Sequence, residues 1–444
     1  MSERAPGETL AGWGGVSAPG RELLSEDLAA VAAGAPLTRG LGRSYGDSAL
    51  PPPGATAVAG SRLADRILAF DAGTGLLRAE AGLALRDLVW LFLRRGWFPP
   101  VTPGTQYVTL GGMVAADVHG KNHHVAGSIG GHVERLRIQL ASGRAVECSR
   151  AERADLFRAT LGGMGLTGHI LEVELRLVRV PSPWIVQESF RVADIDSFLV
   201  ALRESARDWP FTVGWIDCLA RGGALGRGAL IRGRWAEPAE APRRPPAPLA
   251  RLAVPFRFPA FVLNDVTVRL FNALYLRLHP RRPRRGIVHP ERFFYPLDAI
   301  DHWNRIYGRR GFTQFQCVLP EGERPGAVRR FLEVAALEGG SSFLCVLKDC
   351  GAEGEGLLSF PRAGVSVALD LPMRPGLALT VDRLAAATAA EGGRVYLAKD
   401  SLLTAARLRE VEPRLPAFDA VRRKYDPERR LRSAQSVRLL GDPP

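Results

Sequence analysis

Apolar and polar positions alternate in short runs through the first third of the chain, and these runs predict strands joined by tight turns. Residues 66–71 and 76–81 flank Ala72-Gly73-Thr74-Gly75, a hairpin signal. Residues 135–140 and 145–148 flank Ala141-Ser142-Gly143-Arg144, a second hairpin. Residues 171–177 read Leu-x-Val-x-Leu-x-Leu with charges between, the pattern of a half-buried strand. Helical spacing occupies 85–95, stopping before Gly96 and Pro99-Pro100, and a shorter amphipathic stretch occupies 151–160. After Pro181-Ser182-Pro183 the pattern restarts with longer elements, including an alternating run at 365–371 and a helical one at 377–391. Short strands mixed with helices fit an α+β fold better than a regular βαβ series.

Composition narrows this only a little. A chain of 444 residues, 46% hydrophobic, suggests two to three globular domains that need no disulfide staples. The five cysteines (Cys148, Cys218, Cys317, Cys345, Cys350) show neither C-x-x-C nor zinc spacing, and their odd number fits reduced thiols in a cytoplasmic setting. The first fifteen residues contain no apolar core of a signal peptide. The longest uncharged stretch, 96–116, is broken by three prolines and four glycines, so no transmembrane helix is expected. The net charge of +13 fits an anionic surface or a phosphate-bearing substrate, or simply a bias toward arginine. No zinc-finger or RNA-recognition signature is present, so no nucleic-acid partner is expected. Residues 237–248 have linker composition. The stretch 249–285 behind them is apolar and basic at once, which predicts peripheral contact with an anionic membrane.

Candidate chemistry concentrates in three blocks. The first, RGLGRSYGDS at 39–48, has glycines at Gly40, Gly42 and Gly46, one residue too long for a dinucleotide fingerprint. Pro51-Pro52-Pro53 excludes the helix that such a fingerprint opens. Its backbone N–H groups can still cradle a pyrophosphate as a nest. The second and third blocks are VTPGTQYVTLGGMVAADVHGKNHH at 101–124 and LGGMGLTGHI at 161–170. His119, His123 and His124 raise the question of a metal, but adjacent histidines diverge and no acidic ligand stands at metal spacing, so none is expected.

In that order the blocks resemble the FAD-binding fold of the vanillyl-alcohol-oxidase (PCMH) type. Within it they most resemble the decaprenylphosphoryl-ribose 2-oxidase family, flavoenzymes of bacterial arabinan precursor synthesis. The resemblance runs from Gly12-Trp13-Gly14 to RRKYDPERRLRS at 422–433 and weakens between 221 and 290. It implies a two-domain fold. Residues 1–182, completed by 394–444, would bind FAD. Residues 183–393 would form an inserted α+β substrate domain, an antiparallel sheet plus helices, with a mobile basic and apolar segment at about 237–290.

Flavin contacts are implied for Thr38, Arg39, Gly40, Leu41, Gly42, Arg43, Ser44, Tyr45, Gly46, Asp47 and Ser48. They are implied also for Gly104, Thr109, Leu110, Gly111, Gly112, Ala116, Asp117, Val118, His119, Ile170 and Tyr396. Arg43 stands where many relatives carry a histidine bonded to the flavin, so the FAD should be noncovalent. Lys121, His123 and His124 would shape the flavin site or an anion patch.

Lys399 and Tyr396 in YLAKDS, with His119, match catalytic positions. Trp215, Arg305, Gln314, Gln316, Lys348 and Asp370 match substrate positions, and Gln314 and Gln316 alternate onto one strand face able to bond sugar hydroxyls. The implied reaction oxidises the 2-hydroxyl of a polyprenyl-phosphoryl-β-D-ribose to a ketone. An NAD(P)H-dependent short-chain reductase partner would then complete epimerisation to arabinose. Open alternatives are a soluble sugar, polyol, lactone or natural-product intermediate as substrate, or a flavin-binding module without catalysis. Ser366 and Ala368 stand where close relatives often carry Asn and Cys, and Phe294 where they carry Tyr, so the pocket floor differs.

Overall fold

The computed structural model describes residues 8–339 and 343–444. The first seven residues, part of the leader reading and of the flavin-domain range, lie outside it, as do 340–342 in the substrate-domain range. Strands β1 (Arg21–Leu24), β2 (Thr38–Arg39) and β3 (Ala57–Gly60) form a small parallel sheet in the order β1-β3-β2. Next come β4 (Ile67–Asp71) and β5 (Leu76–Glu80), paired antiparallel as their alternation predicts. The turn between them is fixed locally: Asp71 accepts from Gly73 N and Thr74 Oγ1, both at 2.7 Å, and Gly75 takes a φ of +76°.

Helix α1 (Leu85–Phe92) buries Leu85, Leu88, Val89 and Phe92 on one stripe, each contributing roughly 1.5–3 kcal/mol of transfer free energy. It continues as a tight turn to Arg95, and Gly96 then ends it in the left-handed conformation that glycine adopts without strain. Helix α2 (Leu110–Ala115) starts at Thr109, whose Oγ1 accepts from Gly112 N at 3.2 Å.

The second hairpin is β6 (Val133–Gln139) with β7 (Ala145–Ser149). The helix read at 151–160 begins later, as α3 (Ala154–Thr160). Ser149 Oγ accepts from Ala151 N and Glu152 N, and Arg153 takes a positive φ, so the chain turns before the helix opens. Strand β8 (His169–Arg176) completes a five-stranded antiparallel sheet in the order β7-β6-β8-β5-β4. It is half-buried as its alternation predicts, with Glu174 partly buried and Arg176 exposed on the charged face. On that face Glu172 is buried beneath Arg78 and Arg137, each at 2.6 Å.

A second, eight-stranded antiparallel sheet starts at β9 (Ile185–Val192) and takes in β10 (Phe211–Ile216) and β11 (Gly228–Trp235). The stretch expected to be a mobile basic and apolar segment, about 237–290, instead yields helix α4 (Asp265–Leu278) and the edge strand β12 (Arg284–Val288), which pairs with β9. Strands β13 (Phe312–Leu319), β14 (Cys345–Cys350), β15 (Gly364–Pro372) and β16 (Arg394–Val395) complete the order β12-β9-β11-β10-β14-β15-β13-β16. Alternate residues of its central strands (Phe315, Cys317, Leu347, Val367, Leu369) form one core with the helices Ile195–Asp208, Ala327–Glu338 and Leu377–Ala390. The opposite face is left for the site.

The return of the chain is more gradual than a break at 394. Strand β16 still belongs to the large sheet, and α5 (Ala405–Val411) still packs in its core. Helix α6 (Leu415–Tyr425) crosses back, placing Phe418 against Ala159 and Leu166 and burying Arg422 completely against Asp442 at 2.8 Å. The last helix is α7 (Ala434–Leu440).

Candidate active site

The loop after β2 is anchored by side chains and open along its backbone. Arg39 donates to Glu22 at 2.8 Å, Ala49 O at 2.9 Å and Ala11 O at 2.7 Å, so its guanidinium is a strut. Asp47 is a second strut, paired with Arg438 of α7 at 2.7 Å. Between them the N–H groups of Gly40, Leu41, Gly42, Arg43 and Ser44 find no acceptor among the described residues. Gly42 has a φ of +63°, and a Cβ there would overlap the Arg39 guanidinium. Five neighbouring donors without acceptors are open to anionic oxygen, as the donors of a nest are. Thr38 Oγ1 bonds His169 Nδ1 at 2.7 Å, tying this loop to β8 beside Ile170.

Facing the loop is the free side of the eight-stranded sheet. Its register pairs Gln314 with Asp370, Gln316 with Ala368 and Lys348 with Ser366, so all six side chains share one face. Gln314 Nε2 and Tyr307 OH both donate to the Asp370 carboxylate, the latter at 3.0 Å. Gln316 Nε2 lies 2.9 Å from His119 Nε2 and 3.1 Å from Ser366 Oγ. With the imidazole accepting there, its proton sits on Nδ1, a buried atom without a partner. His119 also packs against Tyr396 and Phe360, at ring-centroid distances of 5.1 and 5.3 Å. Tyr396 OH donates to Ala116 O at 2.9 Å, joining this sheet to α2. Lys399 Nζ lies over the Tyr45 ring, 3.8 Å from its centroid, and Tyr45 N donates to Ala398 O at 3.0 Å.

Charge is arranged around these groups. Burial lowers the Lys399 amine; Asp370 opposes that shift and Lys348 adds to it. Burial raises the Asp370 carboxyl, against the hydrogen bonds of Gln314 and Tyr307. Burial, reinforced by Lys348, holds His119 well below the ordinary imidazole range. A neutral imidazole and a lysine inclined to lose its proton therefore share one pocket.

Comparison with known proteins then decides the family. A family model described as FAD binding domain matches residues 27–149. The chain is 34% identical over 415 residues to the decaprenylphosphoryl-beta-D-ribose oxidase of Mycolicibacterium smegmatis, covering 91% of this chain and 88% of that one. The chain belongs to the decaprenylphosphoryl-ribose oxidase family. It is 33% identical to an uncharacterised Streptomyces coelicolor protein, over 78% of this chain and 96% of the other. Similarity to the L-gulonolactone oxidase of Mus musculus, 30%, covers only 28% of each chain. As a family member the protein is an FAD-dependent oxidoreductase acting on a CH–OH group.

The residues present fit FAD. Besides the open N–H groups at 40–44, the buried polar atoms Arg43 Nε, Tyr107 OH and His119 Nδ1 lack partners among the described residues. Arg43 lies between aromatic faces, 4.2 Å from the Trp13 centroid and 5.1 Å from that of Tyr107. The segment Thr109–His119 turns sharply at Asp117, whose φ is +38°. The Asp117 carboxylate accepts from Gly130 N at 2.8 Å and from Ser359 Oγ, and burial raises it to about 6. Gly112 is exposed, whereas Gly111 is small for a packing reason: a Cβ there would lie 2.9 Å from that of Ala81. Gly104 has open space around it, while Leu110 and Val118 are core residues of the flavin side.

Several expected site residues are engaged elsewhere. Lys121 is no anion patch: its Nζ donates to the carbonyls of Phe293 and Phe294, and burial lowers it to about 7. His123 Nδ1 accepts from Gly351 N at 3.0 Å, and His124 Nε2 bonds Trp209 O at 3.0 Å, so the two histidines hold separate segments. Arg305 donates to Val254 O and Pro255 O at 3.0 and 3.1 Å and braces the rim instead of facing the pocket. Trp215 Nε1 donates to Phe343 O at 2.9 Å, and its ring meets Tyr275 of α4 at 4.7 Å. Sequence reading missed Tyr307, Phe360 and Ser359. Each acts through a partner distant in the chain, and no local motif marks them.

Proposed function

We propose that the protein oxidises a sugar secondary hydroxyl to a ketone, with the 2-hydroxyl of a polyprenyl-phosphoryl ribose as the preferred target. The supporting observation is the shared face of β13, β14 and β15, where Gln314, Gln316, Lys348 and Asp370 meet Lys399 beside His119. Two carboxamides and a carboxyl suit a polyhydroxylated ring, and two lysines suit an anionic group attached to it. Bound FAD supplies the hydride acceptor.

Lys399, its amine lowered by desolvation, receives the hydroxyl proton. Lys348 keeps the site positive as negative charge develops on that oxygen. Gln316 holds His119 in the tautomer that presents Nδ1–H, and Tyr396 fixes the wall between the sheet and α2. The nest at 40–44 holds the cofactor pyrophosphate, and Arg43 replaces any covalent attachment. The five- and three-stranded sheets act as the flavin domain and the eight-stranded sheet as the substrate domain. A separate NAD(P)H-dependent reductase returns the ketone to an alcohol of inverted configuration.

The test is anaerobic reduction of the bound flavin by candidate alcohols. Prenyl-phosphoryl ribose should reduce it faster than soluble lactones or polyols. Equal or faster reduction by a soluble polyol would move the assignment to that substrate. Ser366 and Ala368 leave room for this outcome, because they set the floor beside Gln316.

A further inference from the structure

Helix α4 carries its apolar stripe on the outside. Its buried positions are Val268 and Asn272, and the asparagine amide donates to Asp217 Oδ1 at 2.7 Å. Its outward positions Val266, Leu270, Leu274 and Leu278 are 75, 61, 53 and 80% exposed. Their spacing of four residues places them along one side of the helix. The chain leading into the helix adds exposed Phe256 and Phe261. Folded domains rarely leave so many large apolar side chains together in water unless something covers them.

Arginines frame the stripe. Arg269 and Arg277 lie on the helix, Arg257 precedes it, and Arg281 and Arg282 follow it, all exposed. Between 249 and 285 eight arginines stand against one acidic residue, Asp265. Arg284 and Arg285 belong to β12, and Arg285 pairs with Glu188 at 3.4 Å, so the free basic edge is Arg281-Arg282.

We propose that α4 and its flanks dock the protein on an anionic lipid bilayer. The stripe enters the headgroup boundary and the arginines meet lipid phosphates. An apolar face alone would suit any apolar partner; the arginine frame selects a negatively charged one. No helix among the described residues is long and apolar enough to cross a membrane, so the contact is one of surface. The same helix reaches toward the site through a relay of aromatic rings. Tyr275 packs on Trp215, and Phe271 packs on Phe343, which meets Tyr307, the donor to Asp370. A prenyl-linked substrate would pass from bilayer to pocket along this helix. That route rests on the substrate proposed above; docking itself does not.

Flavin-loaded full-length protein should be sedimented with phosphatidylcholine vesicles and with vesicles enriched in phosphatidylglycerol. Binding should be about ten-fold tighter or more to the anionic vesicles. Arg281→Gln/Arg282→Gln should lose roughly ten- to thirty-fold of it. Leu270→Ser/Leu274→Ser should lose binding to a similar degree. Both variants should keep flavin content and turnover of a water-soluble short-chain substrate. Equal sedimentation on the two vesicle types, or variants that sediment like wild type, overturns the proposal. So does self-association without vesicle binding that the leucine variant abolishes, which assigns the stripe to a second copy. Loss of docking with normal turnover leaves the proposed reaction standing, and docking without turnover of any sugar alcohol faults that reaction alone.

Discussion

At the scale of single residues, the proposed proton acceptor is Lys399. Lys399→Ala should retain FAD and slow flavin reduction by about 10²–10⁴, the worth of a positioned proton acceptor. Single-turnover absorbance checks this, and a rate near wild type would remove Lys399 from the mechanism. Because its amine is lowered, the rate of reduction should rise with pH at a lower pH than an ordinary lysine allows. Lys348→Gln removes a neighbouring positive charge, so Lys399 should bind its proton more tightly and the rising limb should move to higher pH.

A second residue reports on stability. Burial lowers His169 to about 4, from the ordinary 6.5. The unfolded chain therefore takes up the proton first, and stability falls as pH drops from 6.5 toward 4, by up to roughly 3 kcal/mol. His169→Gln should flatten that part of the denaturation profile, whatever it costs at neutral pH. That Lys399, Gln314 and Gln316 gather in one place was legible in the sequence because each sits in a short pattern with its own logic. Arg305 and Lys121 were misplaced because a cation among aromatic residues looks the same in sequence whether it meets a ligand or a backbone carbonyl.

At the scale of elements, the link from α7 to the nest loop is the joint to test. Arg438 pairs with both Asp47 and Asp400, at 2.7 and 2.8 Å, and donates to Leu403 O. Arg438→Gln leaves two poorly exposed carboxylates unpaired and should cost about 3 kcal/mol while weakening FAD retention. Melting temperature and flavin content after gel filtration measure the two effects; retention unchanged would separate the C-terminal helix from the cofactor loop. Both hairpins were legible because turn residues and alternation agreed. Helix α4 and strand β12 were not. An outward apolar stripe breaks the usual link between hydrophobic period and burial, and arginines on an edge strand resemble a solvated tail. The burial of Glu172 was hidden for a related reason: Arg78 and Arg137 reach it from other strands.

At the scale of the whole molecule, the Tyr396–Lys399 turn joins the loop at 40–48 and α2, through Tyr45 and Ala116, to the end of the large sheet. Substrate identity did not follow from the sequence, since the pocket floor is built from single side chains such as Ser366 and Ala368. On the proposal that Arg43 stands in place of a covalent attachment, acid or denaturant should release all flavin into solution as FAD; colour that precipitates with the protein would show a covalent bond. The most direct test of the reaction is anaerobic mixing of the yellow holoprotein with a prenyl-phosphoryl ribose. The flavin absorbance should bleach within a turnover, a keto-sugar should appear in equal amount, and Lys399→Ala should stay yellow. A wild-type protein that stays oxidised with this substrate while bleaching with a soluble polyol or lactone would contradict the assigned substrate. One that bleaches with no sugar alcohol at all would contradict the assigned reaction.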